Sequence, residues 1–180
     1  MKATGIVRRI DDLGRIVIPK ELRRTMRIRE GDPLEIYTEK DGEVIFKKYS
    51  PMGELSDFAA QICESLNKTT ESIAAVCDRD TVIAVSGGQR RDFADKRISP
   101  EVEQIMEARR IYRMEQDFQG FPVTDGDEKY WMTVGAPILS EGDVLGCVIF
   151  AAPRGSSPAG EVEFKLAQTV AAFLGKKMEN

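Results

Sequence analysis

The stretch TGIVRRIDDLGRIVIPKELRR, residues 4–24, predicts two short strands, the turn between them and the start of a helix. β-Branched residues dominate residues 4–10 and 15–18, which is typical of strands, and Asp-Asp-Leu-Gly at 11–14 has the composition of a turn. A proline then stands where the first position of a helix is expected, and residues 20–27 have the length of two helical turns. The chain therefore opens with a β-β-α unit.

Two further strands complete this unit. Residues 34–38 and 43–49 are rich in apolar and β-branched residues, and they flank Lys40-Asp41-Gly42, where Asp-Gly is a strong hairpin signal. Ser50-Pro51-Met52-Gly53 follows and predicts a domain boundary. A β-β-α-β-β unit of about 50 residues buries little core by itself. We expect its apolar residues to be covered either by a second copy of the chain, in a dimer with a shared core, or by the rest of this chain.

Charge is unevenly distributed along the chain. The net charge is −4, yet residues 1–29 contain nine basic residues and three acidic ones. On a helical wheel, the cations of residues 20–27 share an arc of about 100° that contains no acid and lies away from Leu22 and Met26. These four cations are Lys20, Arg23, Arg24 and Arg27.

This basic arc has two interpretations. A run of charges is usually a solvated helix face. However, four cations without an acid repel one another unless an anion is present, and arginine binds phosphate or the edge of guanine with two hydrogen bonds. Arg8 and Arg15 lie on the two preceding strands, which can place them on one face. We therefore favour a nucleic acid as the partner, with these two arginines and the four cations of the arc as candidate contacts.

Residues 54–180 predict an α+β domain in which helices pack against an antiparallel sheet. The pattern is a helix, a hairpin, a polar loop at 87–96, a second helix at 100–109, a loop-rich stretch at 116–128, a further hairpin and a final helix at about 159–176. The two terminal helices carry apolar stripes. We expect these stripes either to pack on their own sheet or to lie side by side and join two dimers into a homotetramer through a four-helix contact. The stripe residues are Leu55, Phe58, Ile62, Leu66, Val162, Leu166, Val170, Phe173 and Leu174.

Composition excludes several classes of site. The sequence has no histidine, which removes His-dependent catalysis and His-containing metal sites. Cys63, Cys77 and Cys147 have no C-x-x-C spacing and lie in apolar segments, so we expect them to be reduced and packed in the core of a cytoplasmic protein. No apolar run approaches the roughly 20 residues of a membrane-spanning helix. We expect no enzymatic activity, no metal and no cofactor.

Residues 3–50 resemble the AbrB-like transition-state regulator domain. The likeness rests on residues 4–24, on Leu34-Glu35-Ile36-Tyr37 and on Lys47-Lys48-Tyr49. The resemblance implies a swapped-hairpin dimer that binds double-stranded DNA. It also implies that four residues match the DNA-contacting arginines of the family, namely Arg8, Arg15, Arg23 and Arg24.

Residues 56–180 resemble a GAF domain at the level of pattern. The sequence lacks the Asn-Lys-x-Asp-Glu signature of the cyclic-nucleotide class, so a small-molecule effector stays undefined. We therefore divide the chain into a swapped-hairpin domain, 1–52, a linker, 53–55, and a GAF-like domain, 56–180, that senses an effector or forms the tetramer. Taken together, the two resemblances imply a transcription regulator of sporulation genes, which is either an activator or a repressor.

Two other functions stay open. Antitoxins of toxin–antitoxin pairs use the same small DNA-binding fold, but they usually end in a short disordered tail, whereas the residues after 55 have the composition of a folded domain. One class of GAF enzyme reduces free methionine sulfoxide with cysteines, although the cysteines of this chain lie in apolar segments.

Overall fold

The computed structural model describes residues 4–116 and 120–179. The chain divides into two compact units, Met1–Tyr49 and Ser50–Asn180. Both units combine helices with antiparallel strands. The α+β fold class expected from the sequence is therefore confirmed.

The first unit has a short helix and a two-stranded antiparallel hairpin. Its elements are α1 (Lys20–Thr25), β1 (Leu34–Thr38) and β2 (Val44–Lys48). In the hairpin, Leu34 lies opposite Lys48 and Thr38 lies opposite Val44. Gly42 has a φ of 82°, a conformation that glycine adopts without strain, and this allows the tight turn between the strands. The hairpin predicted from Asp-Gly is confirmed.

The first helix ends earlier than the expected range, 20–27. The N–H of Ile28 donates to the carbonyl of Arg23 (2.8 Å) and the N–H of Arg27 donates to that of Arg24 (3.2 Å). This pair of hydrogen bonds closes a helix at its C-terminus. Arg27 has the left-handed conformation that such a closure requires (φ 50°), so it lies beyond α1 rather than on its face.

Residues 4–10 and 15–18, expected as strands, have no strand partner among the described residues. The N–H of Asp11 donates to the carbonyl of Arg15 (3.0 Å), so the turn between them forms as expected. No ladder continues from this turn in the part of the chain that the structure describes. A strand needs a neighbour to take its backbone hydrogen bonds, and residues 4–116 and 120–179 of the single chain provide none for these two segments. The two strand predictions are therefore wrong for the single chain.

The second unit has a six-stranded antiparallel sheet with helices on both faces. The strands are β3 (Ile73–Cys77), β4 (Val82–Ser86), β5 (Tyr112–Arg113), β6 (Phe121–Thr124), β7 (Asp127–Ser140) and β8 (Asp143–Pro153). The helices are α2 (Pro51–Glu54), α3 (Ser56–Thr70), α4 (Arg90–Phe93), α5 (Pro100–Ala108) and α6 (Glu161–Lys177). The strand order is β4-β3-β8-β7-β5, and β6 pairs with β7.

Alternate residues of the central strands enter two separate cores. Ala74 and Val76 on β3 pack with α3 and α6, whereas Ala75 and Cys77 pack with α4 and α5. Successive side chains of a strand point to opposite faces, so one strand supplies both cores. The helices predicted to cover the sheet therefore do so on both of its faces.

The middle helix begins where the sequence predicts. The hydroxyl of Ser99 accepts the N–H of Val102 (3.2 Å), and Pro100 occupies the first helical position. Val102 and Met106 point into the second core and are buried. The helix predicted at 100–109 is thus confirmed.

Three segments expected as irregular chain contain regular structure. Residues 53–54, expected in a linker, belong to α2, because the Ser50 hydroxyl caps this helix and Met52 is fully buried. The loop expected after Gly87 contains α4, which forms around the buried side chain of Phe93. The loop expected at 116–128 contains β6, and its residues 117–119 lie outside the described residues.

Candidate DNA-binding interface

Helix α1 presents three of the expected cations to solvent. Lys20, Arg23 and Arg24 are exposed, and within the described residues their side chains take part in no hydrogen bond or ion pair. Residues three and four positions apart on a helix are neighbours, so the three charges lie together. A group of exposed cations without a partner attracts a polyanion such as nucleic acid.

The fourth expected cation of the arc does not join this group. Arg27 is half-buried and lies beyond the end of α1. Its backbone carbonyl accepts a hydrogen bond from Nζ of Lys48 (2.9 Å), which ties this residue to β2. The arc of four cations predicted from the helical wheel is therefore an arc of three, because the wheel assumes that the helix continues through Arg27.

Arg8 and Arg15 lie on either side of the turn at 11–14, and both are exposed. Nε of Arg15 donates to Oδ2 of Asp11 (2.8 Å). The backbone N–H of Arg15, its side chain and the N–H of Leu13 all donate to this carboxylate and hold the pKa of Asp11 below its ordinary value of 3.8. Sequence reasoning assigned Asp11 to a turn only. The available signal was an acid four residues before an arginine across that turn.

The first unit leaves its apolar residues exposed. Among the described residues 4–49, Pro19 is the only buried residue. Val7 is 89% exposed and Val17 is 71% exposed. Other large apolar side chains of this unit are also in solvent: Ile6, Ile10, Leu13, Ile16, Met26, Ile36 and Val44. Exposed apolar surface on this scale is unusual for a monomer and is typical of an interface.

Comparison with known proteins identifies the family. Residues 54–179 match the family described as stage V sporulation protein T C-terminal, transcription factor. The chain is 49% identical over 181 residues to stage V sporulation protein T of Bacillus subtilis (strain 168), and the match covers 99% of each chain. The chain belongs to the stage V sporulation protein T family. These two matches confirm the function expected from the sequence, that of a DNA-binding transcription regulator.

The first unit of this protein is also similar to proteins outside the stage V sporulation protein T family. Residues 7–53 match the family described as antidote-toxin recognition MazE, bacterial antitoxin. The chain is also 57% identical over 63 residues to transition state regulatory protein AbrB of Bacillus subtilis (strain 168), covering 32% of this chain and 65% of that protein. The AbrB-like resemblance is confirmed. The antitoxin match ends at residue 53, so it covers the first unit and the start of α2 and leaves out the rest of the second unit.

The second unit has the GAF fold that its pattern predicted. It resembles the GAF domain of an Acinetobacter phosphoenolpyruvate-protein phosphotransferase with a TM-score of 0.56, covering 73% of this chain and 84% of that chain. The sequence identity is 14%, so the likeness shows the fold alone.

The three cysteines of this family member are buried and free. Burial raises the pKa of the Cys63 thiol from 9.0 to about 12 and also raises the pKa values of Cys77 and Cys147. A thiol that keeps its proton is a poor nucleophile. Within the described ranges, no group of three or more His, Cys, Asp or Glu residues could hold a metal ion. No described helix combines the length and the apolar character that crossing a membrane requires.

The apolar stripes on α3 and α6 are divided between core and solvent. Leu66 and Leu174 are buried against the sheet, whereas Val162 and Phe173 are more than half exposed. The ring centroids of Phe58 and Phe173 are 6.1 Å apart, so the two helices lie side by side. The remaining stripe residues are half-buried at the edge of the first core: Leu55, Ile62, Leu166 and Val170.

Proposed function

We propose that this protein is a sequence-specific regulator of sporulation genes that binds double-stranded DNA through its first unit. The observation that carries the proposal is the group of three exposed cations without partners on α1, Lys20, Arg23 and Arg24. Arg8 and Arg15, exposed on either side of the preceding turn, add two further cations to this unit. Arginine suits both parts of such an interface, because it grips phosphates for affinity and guanine edges for specificity.

The DNA-binding unit works as a dimer. A monomer would leave Val7, Val17 and the neighbouring apolar side chains in water, and it would leave residues 4–18 without strand partners. Exchange of this segment between two chains supplies both the cover and the missing backbone hydrogen bonds. A swapped-hairpin dimer of residues 1–52 therefore accounts for the two features that a single chain leaves unsatisfied.

The GAF-like domain, residues 56–180, joins two dimers into a tetramer. The surface for this contact comprises the exposed Phe173 and Val162 on α6 and the half-buried Phe58 on α3, whose ring lies next to that of Phe173. Two DNA-binding units held in one assembly engage two sites at a high effective concentration. A small effector in the GAF-like unit would regulate DNA binding only if it bound one arrangement of the assembly better than another.

We do not assign an enzymatic activity to this protein. The cysteine chemistry of a methionine sulfoxide reductase needs a reactive thiolate, and burial keeps the thiols of Cys63, Cys77 and Cys147 protonated. Its place of action is the cytoplasm, because a bacterial regulator of transcription works on the chromosome there.

The test is selection of DNA by the purified full-length protein. A random-sequence duplex library is enriched by repeated binding, and the selected duplex is then footprinted. We expect a common sequence to emerge. For a dimer with four arginine–phosphate contacts per chain, the affinity should fall with salt with a log–log slope near −7. Retention of every sequence alike, or of none, would contradict the proposal.

A further inference from the structure

The turn at residues 11–15 is organised around one carboxylate. Oδ1 of Asp11 accepts the backbone N–H groups of Leu13 (3.0 Å) and Arg15 (2.8 Å). Oδ2 of the same carboxylate accepts the side-chain Nε–H of Arg15 (2.8 Å). The backbones of Asp11 and Arg15 are joined by a further bond, and Gly14 closes the turn with a φ of 73°. One carboxylate therefore fixes both the main chain and the side chain of Arg15.

This pairing leaves the DNA-binding edge of Arg15 free. A guanidinium has five N–H donors in a planar fork, and Asp11 occupies the one on Nε. The two terminal nitrogens point away from Nε and form the edge that binds a phosphate or the O6 and N7 atoms of guanine. The Arg15 side chain is 67% exposed while it is held in this way. The ion pair thus orients the fork without blocking it.

The other basic residues of the interface have no such support. Within the described residues, the side chains of Arg8, Arg23 and Arg24 have no hydrogen-bond or ion-pair partner. A long side chain without a partner must lose its rotamer freedom when it binds. Arg15 has lost part of that freedom before DNA arrives.

This arrangement places the negative charge of Asp11 beside the DNA that Arg15 is proposed to bind. The bonds from Arg15 keep the pKa of Asp11 low, so the carboxylate is ionised at neutral pH. Through its charge alone it would weaken binding to every DNA sequence equally. A carboxylate at this position that acted only through its charge would therefore weaken DNA binding without any gain. A carboxylate that also orients an arginine improves discrimination between sequences.

We propose that Asp11 is a positioning residue for DNA recognition, and that it raises sequence discrimination by holding the Arg15 fork in its binding orientation. The inference rests on the proposed function, since it needs Arg15 to contact DNA.

The experiment compares two aspartates in the full-length protein. Asp11→Asn keeps an oxygen for the turn hydrogen bonds but loses the charge that holds Nε of Arg15. Asp12→Asn removes the same charge one residue away, where the side chain takes part in no hydrogen bond or ion pair within the described residues. Affinity is measured for the duplex selected by the wild-type protein and for a scrambled duplex of the same composition.

We expect Asp11→Asn to lower the ratio of the two affinities by about three- to tenfold, the cost of ordering one long side chain on binding. Asp12→Asn should leave the ratio unchanged. Both variants should bind the scrambled duplex slightly better than the wild type, because each has lost a negative charge. Equal ratios in the two variants would overturn the inference.

The same Asp11→Asn substitution in an Arg15→Ala protein distinguishes positioning of Arg15 by Asp11 from an effect of Asp11 on the fold of the turn. In an Arg15→Ala protein, Asp11→Asn should cause no further loss of discrimination, because there is no fork left to orient. An equal loss in that background would mean that Asp11 acts only through the fold of the turn, and would overturn the inference while leaving the proposed function intact. If Arg15→Ala alone left the ratio unchanged, Arg15 would not read the sequence, and the inference would fall. If it left both affinities unchanged as well, Arg15 would not contact DNA, and the part of the proposed function that uses Arg15 would also fall.

Discussion

Gly175 on α6 lies directly against the backbone carbonyl of Leu139 on β7. A Cβ atom at position 175 would overlap with that oxygen. The obstacle is main chain rather than a flexible side chain, so a change of rotamer cannot relieve it. The close approach lets α6 rest on the sheet, and Leu174 beside it is fully buried in the first core.

This contact reverses the usual effect of replacing glycine in a helix. By helix propensity alone, Gly175→Ala would stabilise the protein by about 1 kcal/mol. Overpacking costs about 1–3 kcal/mol, and we expect it to prevail, so the free energy of unfolding in urea should fall by up to about 2 kcal/mol. Gly160→Ala, at the start of the same helix, meets only the flexible end of Glu163 (3.2 Å) and should change stability less. A Gly175→Ala protein more stable than the wild type would contradict this packing.

The exposed ring of Phe173 tests the proposed contact between dimers. Phe173→Asp places a charge in that contact and should reduce a tetramer to a dimer in light scattering, with DNA binding by each dimer retained. Gln168→Asp adds the same charge at another exposed position of α6 and should leave the tetramer intact. A wild-type protein no larger than a dimer, or a Phe173→Asp tetramer, would remove the basis for this contact.

The shared core of the first unit predicts a stability that depends on concentration. A fragment of residues 1–53 should be dimeric, and its melting temperature should rise as the protein concentration rises, because unfolding separates the two chains. The melting temperature is measured by circular dichroism over a hundredfold range of concentration. A stable monomer whose melting temperature does not move would refute the shared core.

The buried thiol of Cys63 predicts a loss of stability in alkaline solution. Its pKa is about 12 in the folded protein and 9.0 when the thiol is exposed. The folded state therefore holds its proton more tightly, so the contribution to stability is complete below pH 9 and is lost as the pH rises from about 9 to 12. The free energy of unfolding of Cys63→Ala should fall less steeply over this range than that of the wild type. Equal slopes would mean that the thiol is not shielded from water.

Local signals in the sequence predicted those parts of the structure that local chemistry determines. Asp41-Gly42 gave the hairpin and Ser99-Pro100 gave the start of α5, because the residues that form each feature are adjacent in the chain. The basic group on α1 was also visible, since helical spacing brings its members together.

The parts that were missed depend on contacts that sequence spacing does not reveal. Residues 4–18 have the composition of strands, yet a strand also needs a partner, which the single chain does not provide. Arg27 has ordinary helical spacing, but hydrogen bonds to the carbonyls of Arg23 and Arg24 end the helix before it. α4 forms around Phe93, a burial that its polar neighbours conceal.

The central claim is that arginines of the first unit read DNA, and four single substitutions test it most directly. Affinity for the selected duplex is measured for Arg8→Ala, Arg15→Ala, Arg23→Ala and Arg24→Ala in the full-length protein. A residue that contacts a base should cost about 1–3 kcal/mol and relax specificity, whereas one that contacts phosphate should weaken all sequences alike and reduce the salt slope by about 1. Arg110→Ala, an exposed arginine of the second unit, should bind as the wild type does. Affinity unchanged in all four variants would contradict the account.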